Sequence, residues 1–146
     1  MKHSIQALLE EKKFICFEEA YCIDVGGSNR FIDILAFDPD EDLAYLIDPT
    51  VRFESNRNVA KEVAIDKAKY ENVIPDLHKK YAHMEPREYK VVPLWFGARG
   101  SICSEVEDFF TAFELDKKKM LQIAERVHTD SLSMLHYHMY PPGSSG

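Results

Sequence analysis

Two aspartates, Asp33 and Asp48, sit in apolar segments on either side of an acidic turn, Asp38-Pro39-Asp40-Glu41-Asp42. If the segments pair as a hairpin with an even loop centred between Asp40 and Glu41, Asp33 falls directly opposite Asp48. Facing residues have Cβ atoms about 4.5–5.5 Å apart, and like charges there repel. A divalent cation between them removes that penalty, since magnesium takes one or two carboxylates and completes its shell with water or phosphate oxygens. The preceding hairpin adds a third acid. With its turn centred between Gly26 and Gly27, Ala20 faces Asp33, and Glu18 is the diagonal neighbour on that face. Asp33 also interrupts an alternating apolar line of Phe31, Leu35 and Phe37, and a carboxylate among apolar neighbours is costly unless it is paired or holds a metal. The competing reading makes Asp33 a solvated strand residue and Asp48-Pro49-Thr50 a strand-ending turn.

A cation comes from the next segment. Val59, Ala60, Val63, Ala64, Lys67 and Tyr70 recur at the three- and four-residue spacing of a helix. That spacing places Lys67 on the inward face with Tyr70, and sets Lys69 aside with Glu62, Ile65 and Asp66. An ammonium beside a metal and a phosphodiester orients the attacking water and stabilises developing negative charge. Without the aspartates, Lys67 reads as a lysine snorkelling from the edge of an apolar stripe.

The remaining chemistry-bearing groups are weaker. His136 and His138, with His128 nearby, lack an acidic or cysteine co-ligand and read as helix-end residues. Gly97-Ala98-Arg99-Gly100 lacks the Gly-Lys-Ser/Thr of a nucleotide loop and reads as a strand-to-helix turn. Lys117-Lys118-Lys119 reads as a solvated helix start. No nucleophile elbow or Ser/His/Asp order is visible. Cys16, Cys22 and Cys103 are an odd set without a Cys-x-x-Cys pair, so they read as small buried hydrophobes in a reducing compartment.

Positioning these residues requires a set of elements legible in the pattern. Ser4 opens a first helix with Ile5, Leu8 and Leu9 on its buried stripe. Strands follow over 14–24, 30–37 and 43–48, then the helix over 58–70. A polar stretch between Pro75 and Pro86 is helical or irregular. Residues 90–96 read as a buried strand despite Pro93. A capping box of Ser104 and Glu107 opens the next helix, and Asp116 caps the last. The order αβββαβαα describes an α/β domain in which helices cover a mixed sheet of about four strands. At 146 residues the chain has the size of one domain, assigned to 1–140, with 141–146 a disordered tail or cloning remnant. A net charge of −7 argues against a simple cationic coat for nucleic acid, and leaves room for carboxylates that hold cations. No apolar run has the roughly 18 residues of a membrane span, so no membrane association is expected.

Three runs resemble one family: Arg30 to Leu35 (RFIDIL), Leu46 to Glu54 (LIDPTVRFE) and Ala64 to Tyr70 (AIDKAKY), with Val92 to Gly100 (VPLWFGARG) as a fourth element. They are similar to the restriction-like endonuclease domain at the C-terminal end of site-specific non-LTR retrotransposon polyproteins, over about residues 14–138. The resemblance implies a PD-(D/E)XK nuclease core and Mg²⁺- or Mn²⁺-dependent nicking of target DNA, with the new 3′ hydroxyl priming reverse transcription. It places Asp33 and Asp48 at the two catalytic acidic positions, Lys67 at the lysine displaced onto the following helix, and Tyr70 at the tyrosine after it. Asp33 and Asp48 would hold the metal with Glu18 as a helper. The implied partners are a DNA target and the reverse transcriptase and RNA-binding modules of a parent polyprotein, in a nuclear or nucleocytoplasmic setting. The alternative is a catalytically inactive module that keeps the fold and binds nucleic acid or protein.

Overall fold

The computed structural model describes residues 1–52, 59–84 and 86–139, and the side chains of all these except 59, 60, 135, 137 and 138. Its elements run α1 (Lys2–Glu11), β1 (Ile15–Ile23), β2 (Asn29–Asp38), β3 (Leu43–Arg52), α2 (Val59–Glu71), α3 (Ile74–Lys80), β4 (Glu88–Gly97), α4 (Ser104–Ala112) and α5 (Lys117–Met139). The fold is α/β, with a four-stranded mixed sheet in the order β1-β2-β3-β4 flanked by helices. Relative to the expected order, α3 is an added helix; Pro75 sits in its first turn, where a missing N–H costs nothing. Pro93 is tolerated because β4 lies at the edge of the sheet. The tail 141–146 lies outside the described residues, as do Phe53 and Glu54 of the resemblance.

The chain divides into two compact units, Lys2–Thr50 with Arg57–Leu94, and Met1, Val51–Asn56 with Trp95–Gly146, each as far as its residues are described. In the first unit α1 buries Ile5, Leu8 and Leu9. It begins at Lys2, so Ser4 lies inside the first turn and does not cap it. The helix stops in a Schellman closure: Lys13 is left-handed (φ 72°), and the Lys13 and Phe14 amides donate to the Glu10 and Leu9 carbonyls. The central strands are apolar on both faces where they pair, Ile34 through Phe37 against Leu43 through Ile47, all buried. One core gathers Leu35, Phe37, Ala44 and Leu46 with Ala20, Cys22, Ile32, Val73, Leu77, Tyr89 and Val91.

The two hairpins on β2 differ. Between β2 and β3 the pairs Ile34↔Ile47 through Asp38↔Leu43 close on a four-residue loop, which is the register expected from the turn. Between β1 and β2, Ile23↔Asn29 closes a five-residue loop instead. Asp24 causes this. Its amide donates to the Ser28 carbonyl, and its Oδ1 accepts from the Gly26 and Ser28 amides at 2.9 Å each. Gly27 supplies the left-handed residue (φ 86°) that the loop requires. An odd loop shifts the ladder by one residue, so Ala20 faces Ile32 and Glu18 faces Ile34. Ala20 therefore does not face Asp33, as an even loop would require.

In the second unit the end of β4 turns sharply, with a bridge between Phe96 and Ile102 and Gly100 left-handed (φ 88°). The N-cap of α4 is Cys103, without a side-chain cap, and Ser104 Oγ contacts Glu105, so the expected capping box does not form. Asp116 does cap α5, accepting from the Lys118 amide at 2.9 Å. The buried face of α5 is Met120, Ile123, Ala124 and Val127, while Leu121 and Leu132 are exposed.

Candidate functional site

The site is built where the buried runs of β2 and β3 end. The ladder runs outward to Ile34↔Ile47, and Asp33 and Asp48 are the next residues on their strands. Asp48 continues the line of Ala44 and Leu46, and the Asp33 carboxylate acts on Asp48 while both act on the Tyr70 phenol, which brings the two acids to one side of the hairpin. Both are half-buried. Asp48 is pushed up to about 6, first by burial and then by the negative charges of Asp33 and Asp66. The Thr50 hydroxyl, donating to Asp48 Oδ2 at 3.3 Å, and the Lys69 ammonium pull the other way without cancelling the rise. Asp33 is also raised, by burial and the Glu19 carboxylate, with Lys2 opposing. Tyr70 is pushed up to about 12 by burial and by Asp48, Asp33 and Asp66, with Arg30 opposing, so its phenol stays protonated. Asp33 and Asp66 thus bring negative charge to Asp48 and to the neutral Tyr70 phenol, with Lys69 acting against it on Asp48 and Arg30 on Tyr70.

Two expected members are placed elsewhere. Glu18 faces Ile34 and pairs with His3 at 3.0 Å on the exposed side. The odd loop instead leaves Glu19 beside Asp33, and Glu19 is ion-paired with Lys2. Lys67 is exposed. The seven-residue step from Val63 to Tyr70 admits either Asp66 or Lys67 between them, and α2 turns Glu62, Asp66 and Tyr70 to half-buried positions. Lys69 follows from that rotation, its ammonium 5.4 Å from the Tyr70 ring centroid. The missed residues are therefore Asp66, Lys69, Thr50 and Glu19. The i,i+4 spacing of Asp66 and Tyr70 was the available signal for the first.

Two carboxylates with unmet negative charge, one of them with a proton affinity raised to about 6, suit a hard cation that keeps most of its own water. Among the described residues no three His, Cys, Asp or Glu side chains are grouped to enclose a metal, so the fit is to a two-carboxylate magnesium-type site and not to a caged zinc or calcium site.

The other candidates resolve toward structure. In Gly97 to Gly100 the Gly97, Ala98 and Gly100 amides already donate to the Ser101, Arg52 and Gly97 carbonyls at 2.8–2.9 Å, so they are not available to cradle a phosphate. His136 is exposed and the side chain of His138 lies outside the described residues. Cys16, Cys22 and Cys103 are free thiols; burial raises all three, Cys16 to about 11, so none is an activated thiolate. Among the described residues no helix is long and apolar enough to cross a membrane. No protein-family model matches this chain, and no curated protein matches it either.

Proposed function

We propose that the chain is a metal-dependent DNA endonuclease domain of the restriction-like type that nicks its target by phosphodiester hydrolysis. The observation that carries this reading is that Asp33 and Asp48, both half-buried, lie where the buried runs of two paired strands end, with the Asp33 charge raising the Asp48 carboxyl. Asp33 and Asp48 would hold Mg²⁺ or Mn²⁺, which would supply Lewis acidity and neutralise charge at the scissile phosphate. Lys69, in the role the resemblance gave to Lys67, orients the water and stabilises charge on the phosphoryl oxygens. Tyr70, protonated at neutral pH, keeps an O–H that could donate to the substrate or its water. The restriction-like assignment, a DNA target, the reverse transcriptase and RNA-binding modules of a parent polyprotein, and a nuclear setting all belong to this proposal and rest on the resemblance.

Supercoiled plasmid with Mg²⁺ or Mn²⁺ tests it. Asp33→Ala and Asp48→Ala are expected to reduce nicking by at least about 100-fold, the range for removing a transition-state electrostatic group. Lys69→Ala should lose more activity than Lys67→Ala. Equal nicking by wild type and Asp33→Ala, or none by either at high protein, rejects the assignment. DNA retained without cleavage, and unaffected by Asp33→Asn, identifies the chain as a binding module instead.

A further inference from the structure

Alternate residues of a regular strand share a face, yet the core takes both parities from β1 and β2. From β1 it takes Ala20 and Cys22, with Phe17 packed against it; from β2 it takes Ile32, then Leu35 and Phe37. Each strand therefore turns over once, between Phe17 and Ala20 and between Ile32 and Leu35. The ladder keeps its count across this point, since Glu18 pairs with Ile34 and Ala20 with Ile32. The residues left between those pairs are Glu19 and Asp33. Glu19 is left-handed (φ 49°), a conformation an L-residue with a long side chain rarely adopts, and its carboxylate is tied to Lys2 of α1.

We propose that Glu19 is a positioning residue whose left-handed backbone turns the first hairpin over beside Asp33, and so keeps Asp33 on the Asp48 face. The inference deepens the proposed function and rests on it only for the purpose of that positioning. A regular strand offers one parity. Keeping Ile32, Ala20 and Cys22 in the core, where they are 1%, 5% and 0% exposed, would send Asp33 to the opposite face with every other odd residue. Keeping Asp33 in line with Leu35 would expel Ile32 instead. The turnover at Glu19 lets Ile32 and Asp33 both stay inside, and the Lys2 ion pair anchors the residue that makes it.

Cross-linking reads this geometry without activity. Directly opposed strand residues have Cα atoms within disulfide range. Asp33→Cys with Asp48→Cys is oxidised in backgrounds carrying Glu, Gly, Asn, Ala or Val at position 19, and the disulfide-linked peptide joining positions 33 and 48 is quantified by mass among folded molecules. Gly and Asn, which accept left-handed φ, are expected to cross-link at least as well as wild type; Ala should fall several-fold and Val more than tenfold. If the Glu19→Val background does not fold, the Gly, Asn and Ala series decides. Equal cross-linking across the series overturns the inference. A parallel arm, with Asp33 and Asp48 intact, measures the Tm rise on adding Mn²⁺ to wild type, Glu19→Gly and Glu19→Val. A cross-link that follows the residue at position 19 with no Mn²⁺ response in wild type upholds the positioning and sinks the metal reading. A wild-type Mn²⁺ response with a cross-link indifferent to position 19 does the reverse.

Discussion

The two hairpins of β2 are close to a controlled comparison, because one strand serves both. The β2–β3 hairpin closes with an even loop, and Asp38 Oδ1 accepts from the Asp40 amide at 3.1 Å inside it. Its strands run buried on both faces up to Asp33 and Asp48. The β1–β2 hairpin closes with an odd loop around Asp24, turns over at Glu19, and leaves Ile15, Tyr21, Ile23, Val25 and Phe31 exposed. In both loops one aspartate Oδ1 accepts from two amides, but Asp24 reaches four residues on to Ser28 where Asp38 reaches three on to Glu41, and the longer span accompanies the extra residue. The register of the site pair follows from the first loop, and the acid that neighbours Asp33 follows from the second.

The largest expected difference between the hairpins is in core energy. Leu46 is 1% exposed and packed in the shared core, so Leu46→Ala should cost about 2–5 kcal/mol in urea unfolding. Phe31, at 55% exposure on the outer hairpin, should cost about 1 kcal/mol or less when changed to alanine, even though its ring lies 5.5 Å from that of Tyr21. Similar losses at the two positions would mean that the outer hairpin face is covered in the folded protein.

Next in size is the electrostatic load at the end of the β2–β3 hairpin. The folded-state pKa of Asp48, about 6, lies above its ordinary 3.8, so between these values the native state binds more protons than the unfolded chain. Stability therefore declines as pH rises from about 4 to about 6, and the cost is fully present above 6. Asp48→Asn should then raise stability by about 1–2 kcal/mol at pH 7.5, allowing for screening at a partly exposed group, and by little at pH 4. Paired thermal melts at the two pH values check the sign. An Asn variant less stable at pH 7.5 would show that Asp48 is already compensated.

How far the sequence discloses this arrangement depends on which interactions are local. The acidic turn with Pro39, the β2–β3 register from Asp38↔Leu43 to Ile34↔Ile47 and the helix under Tyr70 all follow from short-range pattern. The five-residue loop does not, because Gly26-Gly27 is equally compatible with an even turn and only the Asp24 carboxylate decides. The rotation of α2 was open for a similar reason: Val63 and Tyr70 fix the helix period but not whether Asp66 or Lys67 lies between them on the inner face. Chain pattern specifies a stripe about 100° wide, and one residue step on a helix is the same angle. Tertiary packing makes that choice, turning Asp66 to a half-buried position and leaving Lys67 exposed.

Gly27 offers a smaller, cleaner perturbation of the odd loop. A Cβ there would meet nothing within 4 Å, so Gly27→Ala is strained only through its φ of 86°. The expected loss is about 1–2 kcal/mol, the cost of a left-handed L-residue, with no change in the m-value of urea unfolding. If the loop relaxes to an even turn instead, the ladder shifts by one and the Glu18–His3 and Glu19–Lys2 contacts break together. Amide-to-amide cross-strand NOEs distinguish these outcomes, because the native ladder places Ala20 against Ile32.

The smallest effect belongs to the even loop, and it runs in the opposite direction. Asp42 is left-handed (φ 57°) immediately before the Asp38↔Leu43 pair, and its carbonyl accepts from the Arg87 amide at 2.8 Å. Aspartate tolerates this conformation better than most residues, yet glycine adopts it without a Cβ penalty. Asp42→Gly leaves the carbonyl in place and also removes one charge from an acidic turn. Against these gains stands the larger conformational freedom that glycine gives the unfolded chain. The balance should be a gain of about 0.5 kcal/mol, read as a higher urea midpoint at constant m-value. Gly27→Ala and Asp42→Gly are thus opposite substitutions at the left-handed residue of each loop, and their opposite signs require that both loops keep their native lengths; a loss at Asp42 would show that its carboxylate, and not its backbone, holds the even turn.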